Sequence, residues 1–506
     1  MIFQSDQSRD SFIVNKAIIE GIDKLPLSGP QARGSELHLG PIFYYFQYFS
    51  GKIFGASPES FAYPDLFFGI LTIPVLFFLL RMFVSNWIAL GVTGLASVSL
   101  FLVTFSRFAW NPNSLPFFST LLALFFALSI GKNKSRVWIL VGLSICTGII
   151  FQLHFVVALS LLGSLLVFLL LFQPLNWKEF LICVFVIFIF QAPTFLYEIK
   201  NKGAMSEIFI KTVEEKGSQN NNHGIHEKFF RAYQEEAKIF WLVATGGQNT
   251  NTILTRGFSL KCDKDCRTDL PITVISLLFF SFLIWIGFWK WKKEKDITKQ
   301  ILLFFGIWFG SFFLITVLLA YQISTRFYLG ITPLIFLLVA FLLEWLAQII
   351  PNNFSKALVS LIILVFIFLN LYSTDIYLKN LSYAGKTSDK MEKDLVFGTE
   401  EKVTLGQLRA IATKIDNNFS DNGFIFISGE SRYVRSLYYI LSIEKGRKGC
   451  YQKGSLEESI FQNHVLLIKN KGENGAIPFG TMSVQLISPQ IDEIRKDILP
   501  KECFVD

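Results

Sequence analysis

The chain has 506 residues, of which 52% are hydrophobic and only 17% are charged, and its mean hydropathy is +0.46. Its 55 Phe residues outnumber the 47 Lys and Arg residues together, so there is too little polar surface to cover a water-soluble globule. This composition excludes an ordinary soluble enzyme and indicates a multi-span membrane protein. The net charge of +8 lies largely between apolar runs, which favours a role in membrane topology over nucleic-acid binding.

The chain begins with a segment, residues 1–61, that contains neither a signal-peptide apolar region nor a first membrane span. If this segment is extracytoplasmic, either an upstream helix delivers it there or the short N-terminus is itself translocated. We predict the first case, in which the start site is truncated and a further transmembrane helix precedes Met1.

Charged side chains cluster in this segment at residues 6–10, Asp-Gln-Ser-Arg-Asp. If residues 10–21 are helical, Asp6 and Arg9 face outward near the lipid headgroups while an apolar face packs on the lipid interface. That apolar face comprises Phe12, Ile13, Ala17 and Ile19. The alternative is a solvated helix start in which Asp6 and Asp10 are capping carboxylates.

From Ala62 onward the chain contains ten apolar runs of about 20 residues, the length that a helix needs to cross a bilayer. None shows the alternation of a barrel strand, so each is predicted to be a transmembrane helix. The runs are Ala62–Met82, Trp87–Phe105, Leu115–Ile130, Val137–Leu153, Val156–Phe172, Phe180–Phe195, Ile272–Trp289, Ile301–Ala320, Ile331–Ile349 and Ala357–Leu371. The predicted fold is a polytopic α-helical membrane protein with about 10 to 11 transmembrane helices, whose membrane domain is residues 62–371.

The charge distribution predicts which segments lie outside. Alternating the crossings places most loop lysines and arginines on one side, which the positive-inside rule identifies as the cytoplasm. Residues 1–61, the loop 197–271 and the tail 372–506 are then extracytoplasmic. The loop is polar first and apolar later, which suggests a flexible segment followed by a membrane-surface helix. The heavy use of Phe, Ile, Lys and Asn, without a eukaryotic targeting signal, favours a bacterial cytoplasmic (inner) membrane.

The cysteines agree with this topology. Cys146 and Cys183 fall inside predicted spans, while an even number of cysteines lies outside, as expected in an oxidising compartment. The outer cysteines allow the pairings Cys262 with Cys266 and Cys450 with Cys503, although spacing does not fix the connectivity. A zinc site at the first of these pairs is the alternative.

The tail, residues 372–506, is polar and mixed in composition and predicts a small extracytoplasmic α/β domain. Thr404 can cap a helix that carries an apolar face. Strands are expected at residues 424–428, 465–468 and 484–487, the first after a turn at Asn422-Gly423. The tail contains neither a phosphate-binding loop nor a nucleophile elbow, so it is interpreted as an acceptor-docking or stabilising module.

The spans contain few ionisable side chains. Asp65 and His154 lie near outer helix ends, and Glu344 lies toward an inner end. Because ion-coupled transport generally needs charged groups at mid-depth, this pattern weakens a transporter interpretation. A packing role is the alternative to a substrate-binding role for His154.

Two short outer loops each carry an arginine against the prevailing charge bias. Arg107 precedes Trp110 and Asn111, and Arg326 precedes Tyr328. A lipid phosphate is the nearest anionic partner on that side, because guanidinium groups match phosphate oxygens. The alternative is that each arginine merely extends from a helix end to the headgroups.

These pieces, in this order, resemble the GT-C superfamily of membrane glycosyltransferases, close to the protein O-mannosyltransferases and the lipid A aminoarabinose transferase. The likeness covers approximately residues 6–350. In the aminoarabinose-transferase branch the first outer loop reads Asp-Glu-x-Arg-Tyr, and Asp6 and Arg9 keep its first acid and its arginine. The Lys-Pro-Pro motif of that branch falls near Leu39-Gly40-Pro41, where the nearby basic residue is His38.

The resemblance implies inverting transfer of a sugar from a polyprenyl-phosphate monosaccharide to an acceptor outside the cytoplasm. It implies a catalytic carboxylate at Asp6 or Asp10 that acts as general base. The arginines expected to stabilise the leaving phosphate are Arg9, Arg107 and Arg326. Further substrate-binding candidates are His38, Trp110, Asn111, His154 and Tyr328. No metal ligands are predicted among these residues, and assistance by a divalent metal ion is left open. The expected partners are the lipid-linked sugar donor, membrane lipid and an unidentified acceptor, and nucleic acid is not expected to bind.

Two other interpretations are consistent with the same residues. A carrier or flippase of lipid-linked saccharides also needs arginines for phosphate, but it predicts cations along a path through the bilayer, which the spans do not supply. A catalytically dead paralogue is the second, because Gln7 stands where the branch has Glu and no lysine lies near Leu39.

Overall fold

The computed structural model describes residues 1–31, 37–130, 136–172, 175–204, 206–211, 224–247, 266–320, 323–350, 352–386, 404–418, 425–429, 433–453, 463–468, 477–479 and 482–487. Its α-helices are α1 (Ser5–Glu20), α2 (Ile42–Phe54), α3 (Tyr63–Leu80), α4 (Asn86–Val98), α5 (Leu100–Phe105), α6 (Leu115–Ile130), α7 (Arg136–Leu153), α8 (Phe155–Phe172), α9 (Trp177–Lys200), α10 (Ile225–Thr245), α11 (Cys266–Lys293), α12 (Asp296–Leu318), α13 (Thr332–Ile349), α14 (Asn352–Lys386), α15 (Leu405–Asn418) and α16 (Val434–Tyr439). Two 3₁₀ turns, Asn111–Ser114 and Thr325–Ile331, lie at loops that carry candidate site residues.

Within the described residues, nine helical segments are long and apolar enough to cross a membrane, and they correspond to nine of the ten predicted runs. Their outward faces expose large apolar side chains, such as Phe67 on α3, Phe188 on α9 and Leu278 on α11. Such surfaces are unfavourable in water and favourable in lipid. The chain is therefore an integral membrane protein.

The remaining predicted run, Trp87–Phe105, was expected to be one span but consists of two helices. Helix α4 ends at Val98 and α5 begins at Leu100. The Leu100 N–H donates to Asn370 Oδ1 over 3.1 Å, and the Thr374 hydroxyl donates to the Val98 carbonyl over 3.2 Å. These side chains of α14 satisfy backbone groups that the break releases inside the apolar bundle. The prediction of one continuous helix was wrong because the break depends on partners about 270 residues further along the chain.

Helix α10 lies in the segment predicted as a polar outer loop. It is present as the expected helix, but much of it is built into the bundle rather than resting on its surface. Ala237 and Phe240 are fully buried, and the Phe240 ring lies 4.9 Å from that of Phe280 on α11. The buried Glu236 carboxyl accepts a hydrogen bond from the Thr316 hydroxyl of α12 over 3.3 Å.

The tail contains the five strands β1 (Ile425–Gly429), β2 (Gly449–Lys453), β3 (Asn463–Ile468), β4 (Ile477–Phe479) and β5 (Met482–Ile487). They form one sheet in the order β2-β1-β3-β5-β4, in which β1 is parallel to both neighbours and the other pairs are antiparallel. Thr404 caps α15 as predicted, since its hydroxyl accepts from the Gln407 N–H over 3.3 Å. The three predicted strands coincide with β1, β3 and β5, while the predicted turn at 422–423 lies outside the described residues.

The tail is attached to the first segment of the chain. Phe3 is buried in the apolar core of the tail, where its ring lies 5.4 Å from that of Tyr439. Arg409 on α15 pairs with both Glu59, which precedes α3, and Glu444. Helix α1 is therefore fixed between the tail and the membrane helices.

The described cysteines agree with their predicted positions. Cys146 and Cys183 are free and buried in α7 and α9. Cys450 on β2 is disulfide-bonded. The predicted pairings of Cys450 with Cys503 and of Cys262 with Cys266 stay predictions, because residues 262 and 503 lie outside the described part of the chain.

Candidate active site

The charged residues of α1 form one connected cluster. The Arg9 guanidinium bonds Asp10 Oδ1 over 2.9 Å and lies 3.9 Å from Asp6 Oδ1. The Tyr44 hydroxyl of α2 donates to the same Asp10 oxygen over 3.2 Å. The side chain of Asp10 is 2% exposed and that of Asp6 is 46% exposed. Asp10 therefore anchors the cluster, and Asp6 is the carboxylate that a substrate can reach.

The buried environment alters how Asp10 titrates. Burial raises the pKa of Asp10 to about 6, and the Arg9 guanidinium opposes that rise. Burial, followed by the charge of Asp10, also raises the pKa of Tyr44 well above its usual value. Tyr44 thus remains a hydrogen-bond donor at neutral pH, while Asp10 gains or loses its proton in mildly acidic solution.

A pH dependence of stability follows from Asp10. Because its pKa is higher in the folded protein than in the unfolded chain, where it is about 3.9, Asp10 favours folding at low pH and loses that contribution as pH rises through about 6. We expect the melting temperature of Asp10→Asn, relative to wild type, to increase between about pH 4 and pH 7. Thermal scans across this range test the prediction. Asp6→Asn, which leaves Asp10 and Arg9 in place, should follow wild type; a parallel response of all three proteins would contradict it.

The structure corrects two expectations about α1. The helix begins at Ser5 rather than near residue 10, and its start is closed by the Gln7 side chain, which accepts the Gln4 N–H over 3.0 Å. Phe12 does not face lipid, because its ring packs 4.8 Å from that of Tyr439 in the tail. Ala17 is likewise buried in the protein core, whereas Ile19 is 75% exposed. The apolar face of α1 packs on the tail rather than on lipid, because the tail supplies aromatic residues as partners. These residues lie more than 400 positions away in sequence.

A second polar group lies at the start of α3 and the loop after α5. Asp65 is fully buried, and its two oxygens accept from the Trp110 N–H over 3.0 Å and the Ser114 hydroxyl over 2.7 Å. The Trp110 ring lies 4.7 Å from the Arg326 guanidinium carbon. This is within the range of a cation–π interaction. The two predicted arginine-bearing loops therefore meet through Trp110.

His154 and Asn111 join the same group. The His154 ring packs edge-on against Phe327 at 4.9 Å, and its buried Nδ1 has no hydrogen-bond partner among the described residues. The Asn111 side-chain amide donates to the Leu153 carbonyl over 2.7 Å. Four predicted substrate-binding residues, Trp110, Asn111, His154 and Arg326, are thus brought together.

His38 lies apart from both groups and belongs to the turn before α2. Its Nδ1 lies 2.9 Å from the Gly29 carbonyl oxygen, and its ring faces Tyr197 at 6.5 Å. This turn is held by Gln152, whose side-chain oxygen accepts the Ile42 N–H over 2.8 Å. Within the described part of the chain, the contacts of His38 are with Gly29 and Tyr197 and not with the α1 cluster.

Arg107 and Tyr328 occupy different surroundings. Arg107 is exposed. Burial and, after it, the charge of Arg107 lower the pKa of the Met1 amino group, which places Arg107 near the residues that lead into α1. Tyr328 is buried, with its ring 5.6 Å from that of Phe312 on α12, and its hydroxyl has no partner among the described residues. Arg107 is therefore an exposed cation near Met1, whereas Tyr328 faces the interior.

Where the structure describes the chain, no three His, Cys, Asp or Glu side chains converge in a way that could hold a metal ion. The carboxylates of α1 are instead engaged by Arg9.

Three residues of the site were not among the predicted candidates: Tyr44, Asp65 and Gln152. Asp65 carried a usable signal, because a carboxylate inside a membrane span is costly and is usually retained for a purpose. Tyr44 and Gln152 carried none, since an aromatic residue near a membrane interface and a glutamine near a helix end are both common.

Comparisons with known proteins agree with this architecture. Residues 38–197 match the family model of dolichyl-phosphate-mannose-protein mannosyltransferase. The structure of ArnT from Cupriavidus metallidurans in the apo state is similar with a TM-score of 0.54 and 12% identity, covering 97% of this chain and 95% of that chain. The same protein bound to undecaprenyl phosphate gives a TM-score of 0.51 with the same identity and coverage. No curated protein sequence matches the chain.

The archaeal oligosaccharyltransferase AglB from Archaeoglobus fulgidus, in complex with an inhibitory peptide and a dolichol-phosphate, is similar over 88% of this chain and 60% of that chain. Its TM-score is 0.43 at 13% identity, which is too low to support a shared fold. The ArnT structures cover nearly the whole chain, and the family model covers α2 to α9. The predicted resemblance is confirmed at the level of the fold: the chain has the fold of ArnT, and residues 38–197 of its sequence match the mannosyltransferase family model.

Proposed function

We propose that the protein is a glycosyltransferase that moves a monosaccharide from a polyprenyl-phosphate-linked donor to an extracytoplasmic acceptor, with inversion at the anomeric carbon. The observation that carries the proposal is the accessible Asp6 carboxylate beside Arg9, in a chain with the fold of ArnT. ArnT has been seen bound to undecaprenyl phosphate, which supports a donor of this chemical class. The acceptor is a protein, a lipid or a glycan.

The chemistry assigned to α1 is a single displacement. The acceptor hydroxyl gives its proton to Asp6 as its oxygen bonds the anomeric carbon. The bond from that carbon to the phosphate oxygen breaks, and its electron pair leaves on the polyprenyl phosphate. One displacement inverts the configuration, and the transition state has oxocarbenium character. Asp6 suits the role because 46% of its side chain is exposed, whereas Asp10 is enclosed by Arg9 and Tyr44.

Arginines are assigned to the leaving group. Negative charge grows on the phosphate as its bond to the sugar breaks, and fixed cations stabilise that charge most in the transition state. Arg9 is held by Asp10, and Arg326 is held against Trp110, so both guanidinium groups are fixed before substrate arrives. Arg107 is exposed near the start of α1 and can join them. His154 offers its free Nδ1 to a substrate hydroxyl.

The proposal also assigns an orientation. It retains an outer segment at residues 1–61, a membrane domain at 62–371 and an outer tail at 372–506, in a bacterial inner membrane. The disulfide at Cys450 supports an oxidising location for the tail. Lysines in the last turn of α11, Lys292 and Lys293, lie over aromatic rings at the other end of the bundle, as expected of a cytoplasmic boundary.

The test is sugar transfer in membranes that contain the protein, supplied in turn with a panel of labelled polyprenyl-phosphate monosaccharides. We expect label from at least one donor to move to a non-donor product, in amounts that follow the level of the protein. Membranes without the protein are the control. Failure with every donor, together with passage of intact lipid-linked sugar across sealed vesicles, would contradict the proposal and identify a carrier.

Metal removal gives a further prediction. Because Arg9 and Arg326 already place fixed positive charge at the site, we expect transfer to retain at least about half its rate in EDTA, a change of less than about 0.4 kcal/mol in the barrier. The measurement compares initial rates with EDTA and with added Mg²⁺ or Mn²⁺. Loss of transfer in EDTA that either ion restores would show instead that a divalent ion supplies the charge.

A further inference from the structure

Asp65 is a buried carboxylate that the proposed reaction does not use. It lies in the first turn of α3, is fully buried, and belongs to a segment that can span the membrane. A carboxylate in such surroundings is costly unless its oxygens are paired. Both oxygens are paired here, and both partners come from one short loop: the Trp110 N–H at 3.0 Å and the Ser114 hydroxyl at 2.7 Å.

The two hydrogen bonds fix the shape of that loop. Trp110 directly precedes the 3₁₀ turn Asn111–Ser114, and Ser114 ends it, so the carboxylate holds the turn at both ends. Inside the turn, the Asn113 amide donates to the Phe108 carbonyl over 2.6 Å. Because the Trp110 backbone N–H and the Ser114 side chain are both held by Asp65, the Trp110 ring extends from a fixed point of the backbone.

The Arg326 guanidinium lies beside two aromatic rings, that of Phe327 at 5.7 Å and, closer, that of Trp110. The Arg326 guanidinium carbon is 4.7 Å from the centre of that ring. Phe105 stacks nearly parallel to the ring at 6.5 Å and restricts its movement. The arginine side chain is flexible and loses conformational entropy when it binds an anion. This loss is smaller if an aromatic ring already holds the guanidinium group in place.

We propose that Asp65 is a positioning residue, which acts through Trp110 to hold Arg326 where the charge of the leaving phosphate develops. This inference rests on the proposed function, because Arg326 acts on catalysis only if a phosphate binds beside it. Asp65 does not touch the substrate, so its effect should appear in turnover rather than in donor binding. An interaction made mainly in the transition state lowers kcat and kcat/KM together when it is lost.

The first experiment compares Asp65→Leu with Asp65→Asn in the transfer assay. Leu cannot accept either hydrogen bond. Asn can accept the Trp110 N–H with its oxygen and donate with its amide to the Ser114 hydroxyl, which rotates to accept. We expect Asp65→Leu to lower kcat by about tenfold or more at nearly unchanged donor KM, and Asp65→Asn to lower it by less than about threefold. Equal losses in the two variants would overturn the inference.

The second experiment is a double-mutant cycle with Arg326→Met. If Asp65 acts through Arg326, then adding Asp65→Leu in the Arg326→Met background should lower kcat by less than about twofold, because the group being positioned is already gone. The same fold loss in both backgrounds would overturn the inference and assign Asp65 to general stability. If Asp65→Leu does not fold, Ser114→Ala replaces it in the cycle, because it removes one of the two hydrogen bonds to Asp65. We expect Ser114→Ala to lower kcat by about threefold in the wild-type background and to leave kcat unchanged in the Arg326→Met background.

These outcomes separate the inference from the function on which it rests. If the wild type transfers sugar but the losses from Asp65→Leu and Arg326→Met are additive, only the role of Asp65 is refuted. Absence of turnover in the wild type with every donor would refute the proposed function and, with it, the role of Asp65.

Discussion

Replacing Asp6 with asparagine is expected to lower sugar transfer by about 10²- to 10⁴-fold, the range typical for loss of a general acid or base. Asparagine keeps the size of the side chain but cannot take the proton of the acceptor hydroxyl. Folding should be unaffected, because Asp6 is half exposed and its ion pair with Arg9 is 3.9 Å long. The measurements are the transfer rate at matched protein level, binding of the labelled donor, and the melting temperature.

A matched control is available close by. Asp23 follows α1 in the chain, its side chain is 72% exposed, and its partner Lys24 is also solvent-accessible. Asp23→Asn makes the same chemical change within the same outer segment and should leave transfer at the wild-type rate. If Asp6→Asn transfers sugar as fast as Asp23→Asn, then the base lies elsewhere, and Asp10 is the next candidate.

Replacing Arg9 with methionine is expected to destabilise the protein by about 3–5 kcal/mol, because it leaves a buried carboxylate without its cation. Asp10 is 2% exposed and its oxygen is engaged by Arg9 and Tyr44, so Tyr44 alone would then face the charge. The loss should be larger at pH 7.5 than at pH 5, where protonated Asp10 no longer needs the cation. Denaturation in detergent at the two pH values measures it.

A second substitution separates stability from catalysis at this position. Adding Asp10→Asn to Arg9→Met removes the uncompensated carboxylate, and most of the lost stability should return. Transfer should not return, since the cation assigned to the leaving phosphate is still absent. Lys24→Met, which removes an exposed cation near the end of α1, should change stability by no more than about 0.5 kcal/mol. Recovery of transfer together with stability would show that Arg9 is purely structural.

Much of the membrane domain could be predicted from the sequence, because long apolar runs have one favourable arrangement in lipid. The run Leu115–Ile130 has the same bounds as α6, and Val156–Phe172 differs from α8 by one residue. The proximity of Asp6 and Arg9 follows from α1, because residues three apart on a helix are neighbours, but the expected helix at residues 10–21 did not include either of them.

The remaining features depend on contacts between distant parts of the chain. The break between α4 and α5 requires Asn370, and the direction of α1 requires the aromatic residues of the tail, such as Tyr439. Asp65 and Trp110 are 45 residues apart, and Gln152 and Ile42 are 110 residues apart. No local pattern of polarity specifies such pairings, which are fixed only when the helices pack. Helix α10 was expected at the membrane surface for the same reason, because its polar residues do not reveal that Glu236 has a partner in α12.

The most direct measurement of the central claim is the stoichiometry of transfer by the purified protein in lipid vesicles. Free polyprenyl phosphate and transferred sugar are counted in the same reaction, and the anomeric configuration of the product is compared with that of the donor. The proposed mechanism predicts one polyprenyl phosphate released for each sugar transferred, inverted configuration, and loss of both products in Asp6→Asn. Recovery of intact lipid-linked sugar on the opposite face of the vesicle, with no polyprenyl phosphate released from any donor, would contradict it.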